Sequence, residues 1–434
     1  MNITKLVASL QKAANTSTTT AELANLSRAI KGLNVGTVQT VANTASLPAM
    51  LPTNGNLYYV ESEEDLYYNV GGTWNALTTA LYPLSRWGRL YVLFPQPSSP
   101  TSIDGDPKNW VQISSGKTHS TGVTSTGIAY AWGTNNYGQL GSGSTVSSLS
   151  PVTVVGGITN WARVSAGGGF SLGITTSGIA YAWGGNGSVG KLGDGSLTSR
   201  SSPVTVVGGI TNWAQIHAGQ EHSLGLTSSG IAYAWGFNSG GQLGDGTVTS
   251  RLSPVSVIGG ITNWSKASIN RHNLALTSTG IAYSWGYNFA GQLGNNTTTS
   301  SRSPVTVVGG ITNWSQLGAG GAHSIGLIAT GIVYSWGYNS DGQLGDNTTS
   351  SRISPVTVTG GITNWSQVAS GWYHSLALTS TGTAYTWGRN STNQLGDGTD
   401  IAKSSPVTVV GGITTWSQLS AGYQHSLAFS TTFI

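Results

Sequence analysis

Cysteine is absent from this chain of 434 residues, which excludes disulfide bonds and thiolate metal sites. Charge is scarce, since 18 Lys and Arg and 14 Asp and Glu leave most of the surface to uncharged polar side chains. A net charge of +4 from so few groups gives no broad basic field, so we do not expect a nucleic-acid partner. No apolar run is long enough for a membrane span or for the core of a signal peptide.

Tryptophan, by contrast, is abundant and periodic. One set recurs every 50 to 52 residues: Trp110, Trp161, Trp213, Trp264, Trp314, Trp365 and Trp416. A second set, each followed by glycine, lies between them: Trp132, Trp183, Trp235, Trp285, Trp336 and Trp387. Because buried tryptophans hide a large apolar area, we expect both sets to form the core between units.

Each unit reads as four short strands, A to D. In the unit that starts at Trp213, strand B begins at His222, strand C at Ile231 and strand D at Val255. Apolar residues alternate with small ones in GIAYAWG, which is the period of a β-strand. Gly230 permits the positive φ of a tight turn between B and C. Four strands per unit and no helical period predict the blades of a β-propeller.

The ends of the chain determine the predicted number of blades. Six units carry both tryptophans, whereas the seventh starts at Trp416 and stops after two strands. The motif Ser85-Arg86-Trp87-Gly88 matches the missing half, so we predict that 81–94 pairs with 416–429. The expected fold is all-β, with short α-helices and a small β module preceding a seven-bladed propeller of four-stranded antiparallel blades at 81–434. Pairing of the N- and C-terminal segments would close the ring and remove an open edge.

The repeated His-Ser, Trp-Gly and Gly-Gln-Leu-Gly motifs resemble those of the regulator of chromosome condensation repeat family. The resemblance covers 81–434 and implies a seven-bladed propeller. Members of that family include a nuclear exchange factor for a small GTPase and a secreted β-lactamase inhibitor, so the resemblance implies a scaffold rather than an activity. No insertion between blades is visible that could act as a wedge into a GTPase.

The first 34 residues predict a helical anchor. Apolar side chains follow helical spacing there, namely Leu6, Leu10, Leu23, Leu26, Ile30 and Leu33. Thr19 and Glu22 form a capping box for the second helix. Such short helices are marginal in water, so they pack either on the propeller or on a partner, which includes self-association into a homo-oligomer.

Residues 35–80 predict a small β adaptor module. Strand-like runs at 57–60 and 66–69 flank an acidic turn, and Gly71-Gly72 leads into Trp74. This pattern resembles a β module of tailed-phage fibre and appendage proteins. The resemblance implies a virion protein that is anchored to other virion proteins and displays its propeller for adhesion to a host surface glycan or protein, or for decoration. The alternative is a bacterial or cellular propeller that binds proteins without catalysis.

Catalytic and metal motifs are not found. One repeat position holds His119, His222, His272, His323, His374 and His425, with Phe170 at the seventh place. Zinc needs nitrogens at about 2 Å, whereas equivalent atoms on neighbouring blades lie at least about 4.7 Å apart. We therefore expect structural histidines that are bonded to nearby backbone. Asp194, Asp245, Asp346 and Asp397 are expected to form Asx turns. No catalytic triad is readable, so we expect neither a cofactor nor enzyme activity.

The repeat varies on one side of the predicted ring, where the A–B tips and C–D loops emerge. Aromatic residues there would form an exposed binding cluster: Phe237, Tyr287, Tyr338, Trp372, Tyr373 and Tyr423. Arg271 adds a charge at one tip. A periodic basic rim consists of Arg200, Arg251, Arg302, Arg352 and Lys403. These cations either pair with the loop Asp residues and cap local carbonyls, or contact acidic glycans or a neighbouring subunit.

Overall fold

The structure, a computed structural model, describes 39–41, 57–60, 65–70, 73–76, 90–93, 101–102, 107 and 109–430. Side chains are described at 107 and 109–430. The described residues form β-strands, turns and loops without a helix, and the helices predicted in 1–34 lie outside them. No helix of the described part is long and apolar enough to cross a membrane.

Strands β1 to β4 form a sheet of their own in sequential order and belong to a compact unit separate from that of all later strands. They span Gln39–Val41, Leu57–Val60, Asp65–Val70 and Thr73–Ala76. Strands β1 and β2 are parallel, and the other pairs are antiparallel. The acidic turn predicted between β2 and β3 falls at 61–64, outside the described residues.

Six blades of four antiparallel strands are each built from one continuous stretch of chain. Blade 1 holds β7 to β10, at Trp110–Ser115, His119–Thr124, Ala129–Gly133 and Ser148–Thr153. Blade 2 holds β11 to β14, at Trp161–Ala166, Phe170–Thr175, Ala180–Gly184 and Arg200–Thr205. Blade 3 holds β15 to β18, at Trp213–Ala218, His222–Thr227, Ala232–Gly236 and Arg251–Ser256.

The next three blades repeat this order. Blade 4 holds β19 to β22, at Trp264–Ile269, His272–Thr277, Ala282–Gly286 and Ser301–Thr306. Blade 5 holds β23 to β26, at Trp314–Ala319, His323–Ile328, Val333–Gly337 and Arg352–Thr357. Blade 6 holds β27 to β30, at Trp365–Ser370, His374–Thr379, Ala384–Gly388 and Lys403–Thr408.

The predicted count of seven blades is therefore corrected to six continuous ones. A further sheet is composite: β31 and β32, at Trp416–Ala421 and Ser426–Ser430, pair with β5 and β6, at Leu90–Leu93 and Thr101–Ser102. Of the two strands predicted within 81–94, β5 lies at the end of that segment and β6 lies after it. The prediction relied on the Trp87-Gly88 motif as the C-strand tryptophan of this sheet. Leu93 holds that position instead, because it pairs with Ser426 just as Trp235 pairs with Ser223 in blade 3.

The core lies between blades. In every blade the second strand is buried along its whole length, which predicts a layer between two neighbours rather than a surface. The A-strand tryptophan packs on the C-strand tryptophan of its own blade, with ring centroids 5.6 to 6.3 Å apart. Burying one such ring stabilises the fold by up to about 4–6 kcal/mol.

Turn chemistry agrees with the sequence. Gly230 has a φ of +80°, and a Cβ atom there would lie 2.7 Å from the carbonyl oxygen of Thr262, so only glycine fits. Asp245 accepts a hydrogen bond from the backbone N–H of Thr247, as an Asx turn requires. Strand D begins at Arg251 rather than Val255, because Arg251 pairs with Gly236 across a bulge.

Candidate functional site

The periodic basic rim is largely neutralised within each blade. Four of its cations pair with the Asp of their own C–D loop: Arg200 with Asp194 at 3.0 Å, Arg251 with Asp245 at 2.9 Å, Arg352 with Asp346 at 2.8 Å and Lys403 with Asp397 at 3.5 Å. Each Asp side chain is only 5 to 6% exposed. Of the two alternatives from the sequence, the structure therefore shows pairing with the loop Asp.

These carboxylates are also held by hydrogen bonds. Burial alone raises the pKa of Asp245, but bonds from Thr247 and Arg251 outweigh it and hold the pKa below its ordinary value. Asp194 and Asp346 show the same balance. Arg302 differs, because it stands one position nearer the proline: Ser301 pairs with Gly286 as Arg251 pairs with Gly236. Asn295 also replaces the loop Asp in that blade, and Arg302 forms no ion pair among the described residues.

A second group of cations lies on aromatic rings at the centre of the variable side. We call these residues the cationic mouth: Lys117, Arg271, Trp372, Tyr373, Arg389 and Tyr423. Arg271 of blade 4 lies over the ring of Trp372 of blade 6, with 5.0 Å from the guanidinium carbon to the ring centroid. Arg389 lies 5.2 Å from the ring of Tyr373, and the Lys117 ammonium lies 5.5 Å from that of Tyr423.

The rings of the cationic mouth also contact one another. The centroids of Trp372 and Tyr423 are 4.6 Å apart, and that of Tyr373 is 6.2 Å from Trp372 and 6.0 Å from Tyr423. Burial, and next the neighbouring Tyr373, raises the pKa of Tyr423. Trp372 is only 7% exposed, which corrects the expectation that it offers an open flat surface.

Trp372 is buried because its neighbour is small. A Cβ atom at Gly321 of blade 5 would lie 2.8 Å from the indole ring, so the glycine tip leaves room for the ring to lie flat across it. Trp372 and Tyr423 line one end of a cavity of about 230 Å³. The walls of this cavity are small residues of the A strands, such as Ser114, Ser165 and Ser370. It is the central channel of the propeller.

A second cavity, of about 400 Å³, lies between blades 3 and 4. Phe237, Tyr287 and Phe289 supply its aromatic walls, and Glu221 and Arg271 add charge. The Tyr287 hydroxyl lies 2.7 Å from the Ser239 hydroxyl oxygen. Tyr338, which the sequence grouped with these residues, is half-buried and lines neither this cavity nor the channel.

The repeated histidines join neighbouring blades. Their Nε2 atoms lie within hydrogen-bond distance of a Ser or Asn side chain on the next blade, for example 2.7 Å between His272 and Ser324. The hydrogen-bond partner of each Nε2 atom is therefore a side chain on the next blade, which corrects the expectation that these histidines bond to nearby backbone. Burial lowers the pKa of His272 to about 3 and that of His222 to about 4, so both are neutral at pH 7. No cluster of metal-ligating side chains occurs among the described residues.

The junction of blades 2 and 3 departs from this pattern. Phe170 replaces the histidine, and Lys191 replaces the glutamine found at the equivalent position of the other five blades. The Lys191 ammonium lies 5.5 Å from the Phe170 ring centroid and 2.8 Å from the Glu221 carboxylate. Sequence reasoning noted Phe170 and placed Glu221 at a variable A–B tip but missed Lys191, and it left Lys117, Arg389 and Phe289 out of the site. Departure from the repeat at aligned positions is the signal that marks Lys191.

The blades match known repeats. The profile of the regulator of chromosome condensation (RCC1) repeat matches six successive stretches: 126–174, 177–226, 229–269, 279–327, 330–378 and 381–429. The chain belongs to this family. A second RCC1 repeat profile matches 110–139, 213–242, 314–343 and 365–394. The resemblance noted from the sequence is thereby confirmed.

Relatives within the RCC1 repeat family are cellular proteins. The chain is 32% identical over 300 residues to the ultraviolet-B receptor UVR8 of Arabidopsis thaliana, which covers 68% of this chain and 56% of the receptor. It is 32% identical over 276 residues to the E3 ubiquitin-protein ligase HERC2 of Homo sapiens, which covers 62% of this chain but 5% of the ligase. The chain thus spans about half the length of the first relative and a small part of the second.

Two solved RCC1-like structures show the same fold. Human WBSCR16 has a TM-score of 0.72 at 23% identity, covering 80% of this chain and 100% of that protein. Prp20p from Saccharomyces cerevisiae has a TM-score of 0.71 at 21% identity, covering 81% and 93%. These relatives overturn the interpretation as a virion appendage. The predicted virion localisation and host-surface adhesion are wrong, and neither the virion partners nor the resemblance of the N-terminal region to phage fibres finds support.

Proposed function

We propose that this protein is a non-enzymatic propeller that binds a partner protein through its variable side. The observation that carries the proposal is the cationic mouth, where Arg271 of blade 4 and Trp372 of blade 6 meet at the glycine tip of the intervening blade 5, although nothing in the repeat demands either residue. Tryptophan, tyrosine and arginine are the residues enriched at interaction hot spots. Family membership supports the proposal, because the structure of Prp20p was described with its binding to Gsp1p and histones.

Site-specific photo-crosslinking tests this proposal. A photoreactive amino acid is placed at exposed Phe289 or Gln424 on the variable side, and at exposed Ser228 or Thr279 in the B–C turns of the opposite side as matched controls. In the native cell we expect one protein to be captured from both variable-side positions and from neither control. Equal capture from all four positions would contradict a dedicated binding side.

We further propose that the composite sheet is a seventh blade that closes the ring. On one side Leu427 packs with Trp110 and Trp132 of blade 1, and on the other side Trp416 packs with Leu376 of blade 6. The junction with blade 1 also carries the family's bond, since the Ser120 hydroxyl lies 3.1 Å from His425 Nε2. A ring without this sheet would expose two blade faces.

An engineered disulfide tests the closure. Because the chain has no native cysteine, the two introduced thiols can pair only with each other within one molecule. Tyr91 and Ala428 are paired residues of β5 and β32, so Tyr91→Cys with Ala428→Cys should form a disulfide on oxidation. We expect the free energy of unfolding to rise by about 2–4 kcal/mol. Tyr91→Cys with Ala377→Cys is the matched control, because Ala377 occupies the same position in blade 6 and should form no disulfide.

A further inference from the structure

The cations of the propeller divide into paired and unpaired sets. Five form ion pairs, four of them on the rim and one, Lys191, with Glu221. The described Lys and Arg residues without an ion pair are Lys117, Arg163, Lys266, Arg271, Arg302 and Arg389. Lys117 lines the central channel, Arg163 and Lys266 lie on A strands, and Arg271 and Arg389 belong to the cationic mouth.

The positive charge at the axis is not balanced locally. No Asp or Glu lines the central channel among the described residues. The two described carboxylates that form no ion pair, Asp341 and Asp400, lie in the C–D loops of blades 5 and 6. Arg163 lies close enough to His217 of the channel wall to lower its pKa, after burial, which is the larger cause. The channel thus carries cations and no carboxylate among its described lining residues, whereas most cations away from the axis are paired.

The cationic mouth holds its cations in place without neutralising them. Arg271 donates its Nε–H to the Gln220 side-chain oxygen at 2.9 Å, and Arg389 donates its Nε–H to the Ser391 hydroxyl at 3.0 Å. These acceptors are neutral, and the aromatic rings beneath the guanidinium groups are neutral as well. A cation that is fixed in position but unpaired loses little entropy when it meets a carboxylate.

The aromatic cavity between blades 3 and 4 lies beside the cationic mouth. Gln220 and Asn270 line both this cavity and the central channel, and Arg271 belongs to both the cavity and the mouth. Its volume of about 400 Å³ admits one large apolar side chain, and Phe289 on its wall is 57% exposed. One ligand can therefore place a carboxylate on Arg271 and an apolar group against Phe237 and Tyr287.

We infer that the variable side binds an acidic peptide segment of a partner protein, in which an aromatic residue flanked by carboxylates enters the cavity while the carboxylates lie on Lys117, Arg271 and Arg389. This inference rests on the proposed function and names the chemistry of its partner. A peptide fits better than a small anion, because the three cations come from blades 1, 6 and 4 and the cavity lies between blades 3 and 4. An extended segment can contact all of these blades at once.

A binding measurement on the full chain tests the inference. The probe is a fluorescein-labelled peptide, Gly-Glu-Glu-Phe-Glu-Glu-Gly, followed by fluorescence anisotropy. We expect saturable binding that weakens as salt is raised, and a loss of about tenfold or more in affinity when glutamine replaces the glutamates. Replacing the phenylalanine with alanine should weaken binding by a similar factor, because the apolar cavity is then left empty.

Variants of the protein locate the site. Arg271→Gln should weaken the labelled peptide about tenfold, and Lys117→Gln with Arg271→Gln and Arg389→Gln should abolish binding. Arg302→Gln is the matched control, because it removes an arginine that also lacks an ion pair but lies on the rim, and it should leave the affinity unchanged. Thermal melts of each variant establish that it is folded.

The outcomes separate this inference from the proposed function. Equal affinity for the glutamate and glutamine peptides, retained binding by the triple variant, or no saturable binding of the acidic peptide would overturn the inference. If one of these results is found while photo-crosslinks still come only from Phe289 and Gln424, the partner-binding function stands and its acidic chemistry is wrong.

Discussion

The junction of blades 2 and 3 and the junction of blades 4 and 5 join the same strands by different chemistry. Between blades 4 and 5 the buried His272 imidazole meets the Ser324 hydroxyl at 2.7 Å, and Ser324 donates to the Gln292 carbonyl. Between blades 2 and 3 Phe170 makes no such bond, and Ser223 donates only to the Lys191 carbonyl. A buried polar link repeated around the ring is thus replaced once by an apolar ring and a charged pair. The imidazole link is therefore not required at every junction, and its repetition should make the stability of the propeller depend on pH.

Acid should produce the largest effect. The unfolded chain protonates its histidines near pH 6.5, whereas burial lowers the pKa of His272 and His323 to about 3 in the folded chain. Unfolding therefore takes up protons between these pH values, and stability is present above pH 6.5 and lost as the pH falls. Each buried imidazole contributes up to about 1.4 kcal/mol per pH unit. Thermal melts from pH 7 to pH 4 measure the loss.

His272→Phe copies the exceptional junction and serves as the control for the acid experiment. One fewer imidazole should reduce the slope of stability against pH by up to about 1.4 kcal/mol per unit. A melting temperature that does not change between pH 7 and pH 4 would mean that the buried histidines are charged or accessible in the folded protein.

Removing the serine hydroxyl should cost more at a regular junction than at the exceptional one. Ser324→Ala leaves the buried His272 Nε2 without its partner and should lower the free energy of unfolding by about 1–3 kcal/mol. Ser223→Ala removes one bond to a carbonyl and should cost about 0.5–1.5 kcal/mol. Urea unfolding of both variants measures the difference, and equal losses would show that the imidazole bond adds nothing.

A double-mutant cycle should reveal coupling within the exceptional junction. Phe170→His alone brings an imidazole near the Lys191 ammonium, which lies 5.5 Å from the present ring, and should destabilise the fold. Adding Lys191→Gln restores the residues of a regular junction. The loss of unfolding free energy in the double variant should therefore be about 1 kcal/mol smaller than the sum of the two single-variant losses. Strictly additive losses would argue that the two substitutions act independently.

The smallest effect is expected at the rim. Arg251→Gln removes an ion pair whose arginine is 38% exposed, and solvent screens such pairs, so the loss should be below about 1 kcal/mol. Arg302→Gln removes no pair and should cost less still. Urea unfolding compares them, and a loss above about 2 kcal/mol for Arg251→Gln would mark the rim pairs as major supports of the loops.

The repeat made most of the fold predictable, because the alternation around Tyr233 and Trp235 and the turn at Gly230 are local signals. The seventh unit was harder, since Leu93 stands where other units have tryptophan and a chance Trp-Gly motif lay nearby. The candidate site depended on contacts between distant blades. The contact of Arg271 with Trp372, and the burial of Trp372 over Gly321, follow from the geometry of the ring and have no signature in sequence spacing.

The exceptional junction also bears on how the number of repeats is kept. Units this similar can recombine, and the imidazole links would let almost any unit follow any other. Loss of blade 3 by unequal crossing-over would set Lys191 beside Arg271 in place of Glu221, so that two like charges would meet where an ion pair at 2.8 Å now stands. The Lys191–Glu221 pair is thus a favourable contact that exists only while blade 3 follows blade 2.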